Sequence, residues 1–190
     1  IQGPGGPDED RSNGFALGGW AWPYASDGEA MDGLFSHPFA LVLGRRTYDI
    51  FAGYWPQVAS VAPHGAIADA FNAATKHVAT HRPDTLAWAH SHALDGDVVD
   101  ALRALKRTDG PDLVIQGSSV LLHQLLARDV VDELRLLVYP IVLGRGKRLF
   151  DDDAQAAAFR LAGTRATPTG VIVSRYEREG DVRTGSFAAG

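Results

Sequence analysis

The sequence predicts an α/β fold with a mostly parallel central sheet and an antiparallel hairpin at its C-terminal end. From Phe39 onward, apolar runs of strand length alternate with longer stretches of helical periodicity. Two of these runs, ending at Gly44 and Gly117, lead directly into a helix, as parallel strands buried on both faces commonly do. The last two strand-like segments flank the turn Thr167–Gly170, which predicts a hairpin.

Composition limits the function classes that the chain can serve. Its 190 residues fit one domain, residues 1–190, and the 45% hydrophobic and 22% charged residues are typical of soluble globular proteins. The absence of cysteine excludes disulfides, thiolate metal sites and cysteine nucleophiles. A net charge of −5 argues against a nucleic-acid binder, and no apolar run approaches the roughly 20 residues of a membrane span. We therefore expect a cytoplasmic protein that binds neither nucleic acid nor membrane.

The predicted elements begin after a glycine-rich N-terminal stretch. Residues 1–33 hold eight glycines and no clear strand, a composition typical of a surface loop. Phe39–Leu43 is a continuous apolar run and is predicted to be a buried strand. Apolar spacing then predicts a helix over Thr47–Trp55, followed by a short helix at Ala66–Ala74 and a short strand at His77–Thr80.

The second half of the chain continues the alternation. Asp97–Arg107 carries an apolar stripe at helical spacing. The later predicted elements are a strand at Leu113–Ile115, a helix at Ser118–Arg128, a long strand at Glu133–Leu143, and hairpin strands at Arg160–Thr164 and Gly170–Tyr176. With the two early helices counted as one connection, the predicted order is β-α-β-α-β-α-β-β-β.

Two strand-to-helix joints carry the residues best suited to bind a ligand. The first joint is Gly44, Arg45, Arg46 and Thr47, and the second is Gln116, Gly117, Ser118 and Ser119. Glycine admits close approach to the backbone, Thr47 and Ser118 are suited to cap their helices, and arginine can bind phosphate through two parallel hydrogen bonds. Both helix starts should lie at the carboxyl edge of the sheet, where a pyrophosphate could bridge them. An ordinary capped helix is the alternative at each joint.

Three blocks of the sequence resemble the dihydrofolate reductase-like superfamily. They are the strand and Gly-Arg-Arg-Thr-Tyr of Phe39–Trp55, the strand, Gln-Gly-Ser-Ser and helix of Asp112–Leu126, and the segment Val131–Phe150. Within the superfamily they are most similar to the branch related to the reductase domain of bacterial bifunctional riboflavin-biosynthesis deaminase/reductase. The resemblance implies a dihydrofolate reductase-like three-layer fold, with helices on both faces of the sheet, and NADPH as the cofactor.

The resemblance also implies roles for individual residues. Gly44, Arg45, Arg46 and Thr47 match the segment that cradles the cofactor's phosphates, and Gly117, Ser118 and Ser119, preceded by Gln116, match the second phosphate-binding turn. Thr80, His81 and Arg82 match the region that meets the adenosine 2′-phosphate, although a surface His-Arg pair is the alternative there. The family places a central strand before the loop that holds Gly3–Pro7, so we expect one family strand to be absent from the sequence given.

The substrate side of the site is less well defined by sequence. Asp27 and Glu29 lie near the position of the family's buried carboxylate and are the candidate catalytic residues, although Gly28 falls closest to that position by spacing. Trp20 and Trp22 are predicted to line the substrate pocket or to cover a planar ring. No metal is predicted, because His90 and His92 have no third ligand tied to them.

Three functions of different classes fit these observations. The first is an NADPH-dependent reductase, forming a homodimer, that transfers hydride to a planar heterocyclic small molecule of pyrimidine or pterin type. The second is a nucleotide- or metabolite-binding module with the same fold and no turnover. The third is a dimeric scaffold that uses the long strand Glu133–Leu143 as its interface.

Overall fold

The computed structural model describes residues 1–25, 33, 35, 37–62, 64–150 and 154–187. Its elements, in chain order, are β1 (Phe39–Gly44), α1 (Arg45–Tyr54), α2 (Gly65–Ala73), β2 (Lys76–Ala79), β3 (Ser91–Ala93), α3 (Val98–Lys106), β4 (Asp112–Val114), α4 (Ser119–Ala127), β5 (Glu133–Val138), β6 (Ala158–Ala166) and β7 (Ile172–Gly180). None of the helices in these ranges is long and apolar enough to cross a membrane.

The strands form two sheets. The first is parallel, with strand order β3-β2-β1-β4, and the second is antiparallel, with order β5-β7-β6. The predicted fold class is confirmed, but the single sheet expected from sequence is divided, because no backbone ladder joins β4 to β5 among the described strands. The predicted hairpin joins β6 to β7, where Gly170 has a φ of 83° and donates its N–H to the carbonyl of Thr167.

Helices cover both faces of the parallel sheet and make three layers. Successive side chains of β1 point to opposite faces, so Leu41 and Leu43 pack with Phe71 of α2 on one side. On the other side Val42 packs with side chains of α3 and α4, among them Leu102. Because β1 is buried on both faces, its sequence shows a continuous apolar run rather than an alternating one.

Several elements differ from the sequence-based expectation. The strand predicted over Glu133–Leu143 ends at Val138, because Pro140 has no N–H to donate to a ladder. The helix predicted from Thr47 begins two residues earlier, directly after β1. The short strand β3 was not predicted, since its three residues carry no alternating pattern.

Lys76 is the most unusual residue of this core, because its side chain is fully buried. Its ammonium group donates to the carbonyls of Asn72 (2.8 Å) and Ala89 (3.0 Å), and it lies 4.3 Å from the centre of the Trp88 ring. Two carbonyls and an aromatic face replace water around the charge. Burial nevertheless lowers the pKa of Lys76 from 10.5 to about 8.

We expect the buried ammonium of Lys76 to make the protein more stable at alkaline pH. Between about pH 8 and pH 10.5 the folded chain releases a proton that the unfolded chain retains, so the free energy of unfolding rises with pH across that window. Urea denaturation at a series of pH values should show this rise in the unaltered protein and its loss in Lys76→Met. Lys106→Met, at a partly exposed lysine, should keep the rise. A rise of the same size in Lys76→Met would contradict the assignment.

Candidate functional site

The two predicted ligand-binding joints lie against each other in the structure. Strands β1 and β4 are parallel neighbours, so the turns that follow them emerge at the same edge of the sheet. The N–H of Gly44 donates to the hydroxyl of Ser118 (2.8 Å), and that hydroxyl donates to the hydroxyl of Thr47 (2.9 Å). A Cβ on Gly44 would lie 3.2 Å from the Ser118 oxygen, so a larger residue would disturb the contact.

The expected caps are absent at both joints. Gly44, which has no side chain, precedes α1 at the N-cap position, and Thr47 lies inside the first turn. Ser118 does precede α4, but its hydroxyl bonds across to Gly44 and Thr47 and makes no capping bond. The prediction that Thr47 and Ser118 cap their helices is therefore wrong. As a consequence, no side-chain cap occupies the first-turn N–H groups of either helix.

Arg45 ties the first joint to the turn after β2. Its guanidinium pairs with Asp49 on the next turn of α1 (2.8 Å). It also donates to the hydroxyl of Thr85 (2.6 Å) and to the carbonyl of Arg82 (3.2 Å), with the Thr80 hydroxyl at 3.5 Å. The structure thus brings the first joint together with the segment Thr80–Arg82. The donors of the Arg45 guanidinium are bonded within this cluster, and only 20% of the side chain is exposed.

Arg46 bonds in a different direction, to Asp10 of the N-terminal loop. Asp10 is nearly buried and accepts from Arg46 (2.7 Å), Lys147 (2.6 Å) and the hydroxyl of Ser12 (2.6 Å). Burial alone would raise the pKa of this carboxyl, but the hydrogen bonds from Lys147 and Ser12 and the charge of Lys147 outweigh it. They hold the pKa of Asp10 well below its ordinary value of 3.8. The carboxylate therefore stays ionised and joins three separate segments.

Gln2 completes the anchoring of the N-terminal loop. Its side-chain amide donates to the carbonyls of Asp10 (3.1 Å) and Ser12 (3.0 Å) and accepts from the N–H of Lys147 (2.9 Å). The indole of Trp20 donates to the Gln2 carbonyl (2.9 Å). These contacts connect Trp20, through Gln2 and Asp10, to Arg46 at the start of α1.

The two tryptophans expected in the substrate pocket have different surroundings. The rings of Trp20 and Tyr139 are nearly perpendicular, with their centres 5.0 Å apart, and the ring of Tyr24 meets the same tyrosine at 5.5 Å. Trp22 is 77% exposed. Trp22 leaves most of its ring to solvent, whereas Trp20 is half-buried and anchors the loop.

The remaining sequence-predicted residues are placed as follows. His81 and Arg82 are exposed beside Arg45, Gln116 is half-buried before Gly117, and Ser119 is the first residue of α4. Asp27 and Glu29 lie outside the described residues. Within the described ranges, no group of three or more His, Asp or Glu side chains is placed to hold a metal ion.

Sequence reasoning missed Gln2, Asp10 and Tyr139. Each acts through a contact with a residue distant in the chain, such as Arg46 for Asp10 and Trp20 for Tyr139. A buried loop carboxylate has no periodic signature, so spacing could not have found it. Tyr139 lies within an apolar run, so the sequence analysis includes it in the predicted strand Glu133–Leu143.

Comparison with known proteins decides the family. The model of the RibD C-terminal domain matches residues 6–173. The chain belongs to the RibD C-terminal domain family. This confirms the resemblance inferred from the three sequence blocks, and membership in the RibD C-terminal domain family favours a reductase-type enzyme of the riboflavin-pathway kind.

This RibD C-terminal domain is similar to two solved structures in fold and to a curated relative in sequence. A crystal structure of a putative riboflavin biosynthesis protein from Shewanella sp. PV-4 is 21% identical, covers 82% of this chain and 80% of its own, and has a TM-score of 0.58. RibD from Acinetobacter baumannii is 19% identical, covers 74% of this chain and 47% of its own, and has a TM-score of 0.51. The uncharacterized protein YyaP of Bacillus subtilis (strain 168) is 24% identical over 140 residues, 74% of each chain.

We expect Asp10→Asn to destabilise the protein, because it leaves Lys147 and Arg46 facing a neutral group in a nearly buried place. The loss should be about 2–3 kcal/mol at neutral pH, measured by urea denaturation. The native pKa of Asp10 is depressed, so its contribution is present above about pH 4 and fades as pH falls below that value. The variant should therefore lose part of the acid sensitivity of the unaltered protein.

Asp8→Asn is the matched control for this prediction. Asp8 is 75% exposed and pairs with Arg11 at the surface, so its replacement should change stability by less than about 0.5 kcal/mol. Equal changes of the free energy of unfolding in the two variants would show that the ion pairs of Asp10 contribute no more to stability than a surface ion pair does.

Proposed function

We propose that the protein is an NADPH-dependent reductase that transfers a hydride to a planar heterocyclic small molecule of pyrimidine or pterin type. The observation that carries the proposal is the meeting of two uncapped helix starts across the contact between Gly44 and Ser118. Membership in the RibD C-terminal domain family supports the reductase chemistry.

The residues at the joints fit the pyrophosphate of such a cofactor. Gly44 and Gly117 lack side chains where the backbone would approach the ligand, and Gly117 has a φ of 79°, which favours glycine. The first turns of α1 and α4 offer backbone N–H groups and the positive ends of their dipoles. Arg46 adds a cation whose side chain is 57% exposed although it also pairs with Asp10.

The turn after β2 fits the 2′-phosphate that distinguishes NADPH from NADH. Arg45 brings a fixed positive charge there, although its donors are bonded within the protein. Arg82 is 63% exposed and its ion pair with Asp49 is long at 3.8 Å, so its guanidinium can turn to an incoming phosphate. His81 is exposed next to it and can add a second donor.

The chain's own residues would bind, orient and shield the reactants, while the reduced nicotinamide supplies the hydride when bound. Trp22, in the loop anchored by Gln2 and Asp10, offers a free aromatic face to a planar ring. We propose Asp27 or Glu29 as the group that orients or protonates the substrate. Asp10 cannot serve as that acid, because its pKa is held well below its ordinary value.

The direct test is titration of the protein with NADPH, followed by the fluorescence of its four tryptophans. We expect saturable binding, and NADPH oxidation with at least one member of a panel of pyrimidines and pterins. Binding without oxidation across that panel would favour a binding module with the same fold. No binding at millimolar NADPH would reject the proposal.

We further expect Arg82→Ala to lower the affinity for NADPH about tenfold while leaving the affinity for NADH unchanged. The substitution removes a charge-assisted hydrogen bond that only the 2′-phosphate can accept. Arg107→Ala, at the exposed C-terminal end of α3, is the matched control and should affect neither cofactor. An equal loss of affinity for NADPH and for NADH would show that the 2′-phosphate does not bind at this turn.

A further inference from the structure

A cavity of about 110 Å³ lies between the N-terminal loop and the turn that follows β5. Two distant segments of the chain line it, and neither belongs to the two joints. The lining residues are Gln2, Ser12, Asn13 and Phe15 from the loop, and Arg145, Gly146 and Lys147 from the turn. Liquid water occupies about 30 Å³ per molecule, so the cavity has room for a small polyatomic ion.

Glycines shape the turn on one side of this cavity. Gly144 and Gly146 have φ values of 72° and 125°, a backbone path that other residues rarely adopt. A Cβ on Gly146 would lie 3.2 Å from the ring of Phe15, which is buried. The missing side chain therefore lets the turn lie against the Phe15 ring, with Arg145 beside the cavity.

The cavity offers free hydrogen-bond donors, whereas its acceptors are already engaged. Arg145 is exposed, and its guanidinium has no ion pair or hydrogen bond with any described residue. Lys147 gives one hydrogen to Asp10 (2.6 Å) and keeps two others. The Oε1 of Gln2 accepts from the N–H of Lys147 (2.9 Å), and the Ser12 hydroxyl accepts from the Gln2 amide (3.2 Å). A ligand of this cavity must therefore supply acceptors.

The charges around the cavity favour an anion. The carboxylate of Asp10 is shared between Lys147 and Arg46, so it balances one of these two cations and leaves the other in excess. Arg145 adds a further positive charge that no described carboxylate balances. Asn13 adds a carboxamide, and the structure gives its side chain no hydrogen bond to another described residue. Two unbalanced cations and a free amide thus surround the empty volume.

We infer that this cavity binds a phosphate group, either free or at the end of a small metabolite, and that the bound phosphate links the N-terminal loop to the turn after β5. The Arg145 guanidinium can donate to two phosphate oxygens in parallel, while Lys147 and Asn13 can donate to the others. The Asp10 carboxylate lies between Lys147 and Arg46, so this site is separate from the pyrophosphate site proposed at the joints. A ligand that binds only the folded chain also stabilises it.

The test is calorimetric titration with inorganic phosphate and with methyl phosphate, at an ionic strength held constant with sodium chloride. Arg145→Gln should weaken phosphate binding roughly 10- to 100-fold, as expected for the loss of a hydrogen bond to a charged group. Asn13→Asp should weaken it at least as much, because it places a negative charge in the cavity. Aspartate keeps the shape of asparagine and tolerates the φ of 57° at this position.

Arg107→Gln is the matched control, since it removes the same charge at the exposed C-terminal end of α3 and should bind phosphate like the unaltered protein. Thermal denaturation provides a second measurement. Phosphate should raise the melting temperature of the unaltered protein and of Arg107→Gln, but not that of Arg145→Gln. Tighter binding of methyl phosphate than of inorganic phosphate would identify a phosphate ester as the ligand, and the reverse order would identify the free ion.

Tryptophan fluorescence with NADPH separates this inference from the proposed function. Both cavity variants should keep the NADPH affinity of the unaltered protein, and saturating NADPH should not displace phosphate. Phosphate binding that is unaffected by Arg145→Gln and Asn13→Asp, or that NADPH abolishes, would place the ion elsewhere and overturn the inference. No binding at millimolar phosphate would overturn it as well, and both results leave the reductase proposal standing. Cavity-dependent phosphate binding without any NADPH binding would support the inference and reject the reductase proposal.

Discussion

The contact between Gly44 and Ser118 is the constraint on which the site depends. Parallel pairing of β1 with β4 places the ends of two strands side by side, but the turns that follow could still diverge. The absence of a side chain on Gly44 lets Ser118 approach, and the hydrogen bond between them fixes the distance. Two helix dipoles then point to one place, where each would otherwise end separately in solvent.

The same edge of the sheet is tied to the N-terminal loop by one buried carboxylate. Asp10 balances two cations, Arg46 from α1 and Lys147 from the segment after β5, and Gln2 satisfies the neighbouring backbone groups. One negative charge shared between two positive ones leaves a net positive cluster near the start of α1. An anion at that helix start would add to this balance and would not have to break the anchor.

Most of the fold could be predicted from the sequence, because each of its main elements has a pattern that spans only a few residues. The buried run Phe39–Leu43, the helical stripe of α3 and the hairpin turn each carry their own signal over a few residues. The edge strand β3 was missed, since its three residues have no alternation and gain their pairing from Lys76–Val78 of β2. The predicted length of β5 was too great, because apolar residues continue past Val138 but Pro140 ends the hydrogen-bonded ladder.

The side-chain contacts of the candidate site were less predictable from sequence, because the partners of these side chains lie far away in the chain. The motif Gly-Arg-Arg-Thr marks where a phosphate could bind, but it does not say what each residue does there. Arg45 bonds to Asp49 and the turn after β2, whereas Arg46, one residue later on the helix, bonds to a loop 36 positions earlier. Adjacent helical residues point about 100° apart, so two neighbouring arginines meet different segments.

The contacts of the two arginines also decide which donors at this joint are left for an anion. Arg45 has its donors bonded inside the protein, and Arg46 shares its charge with Asp10. The backbone N–H groups and Thr47 remain as donors with nothing to satisfy them among the described residues of the joint. Under the proposed function, positive charge would attract an anion over several ångströms, while short fixed donors would decide its position.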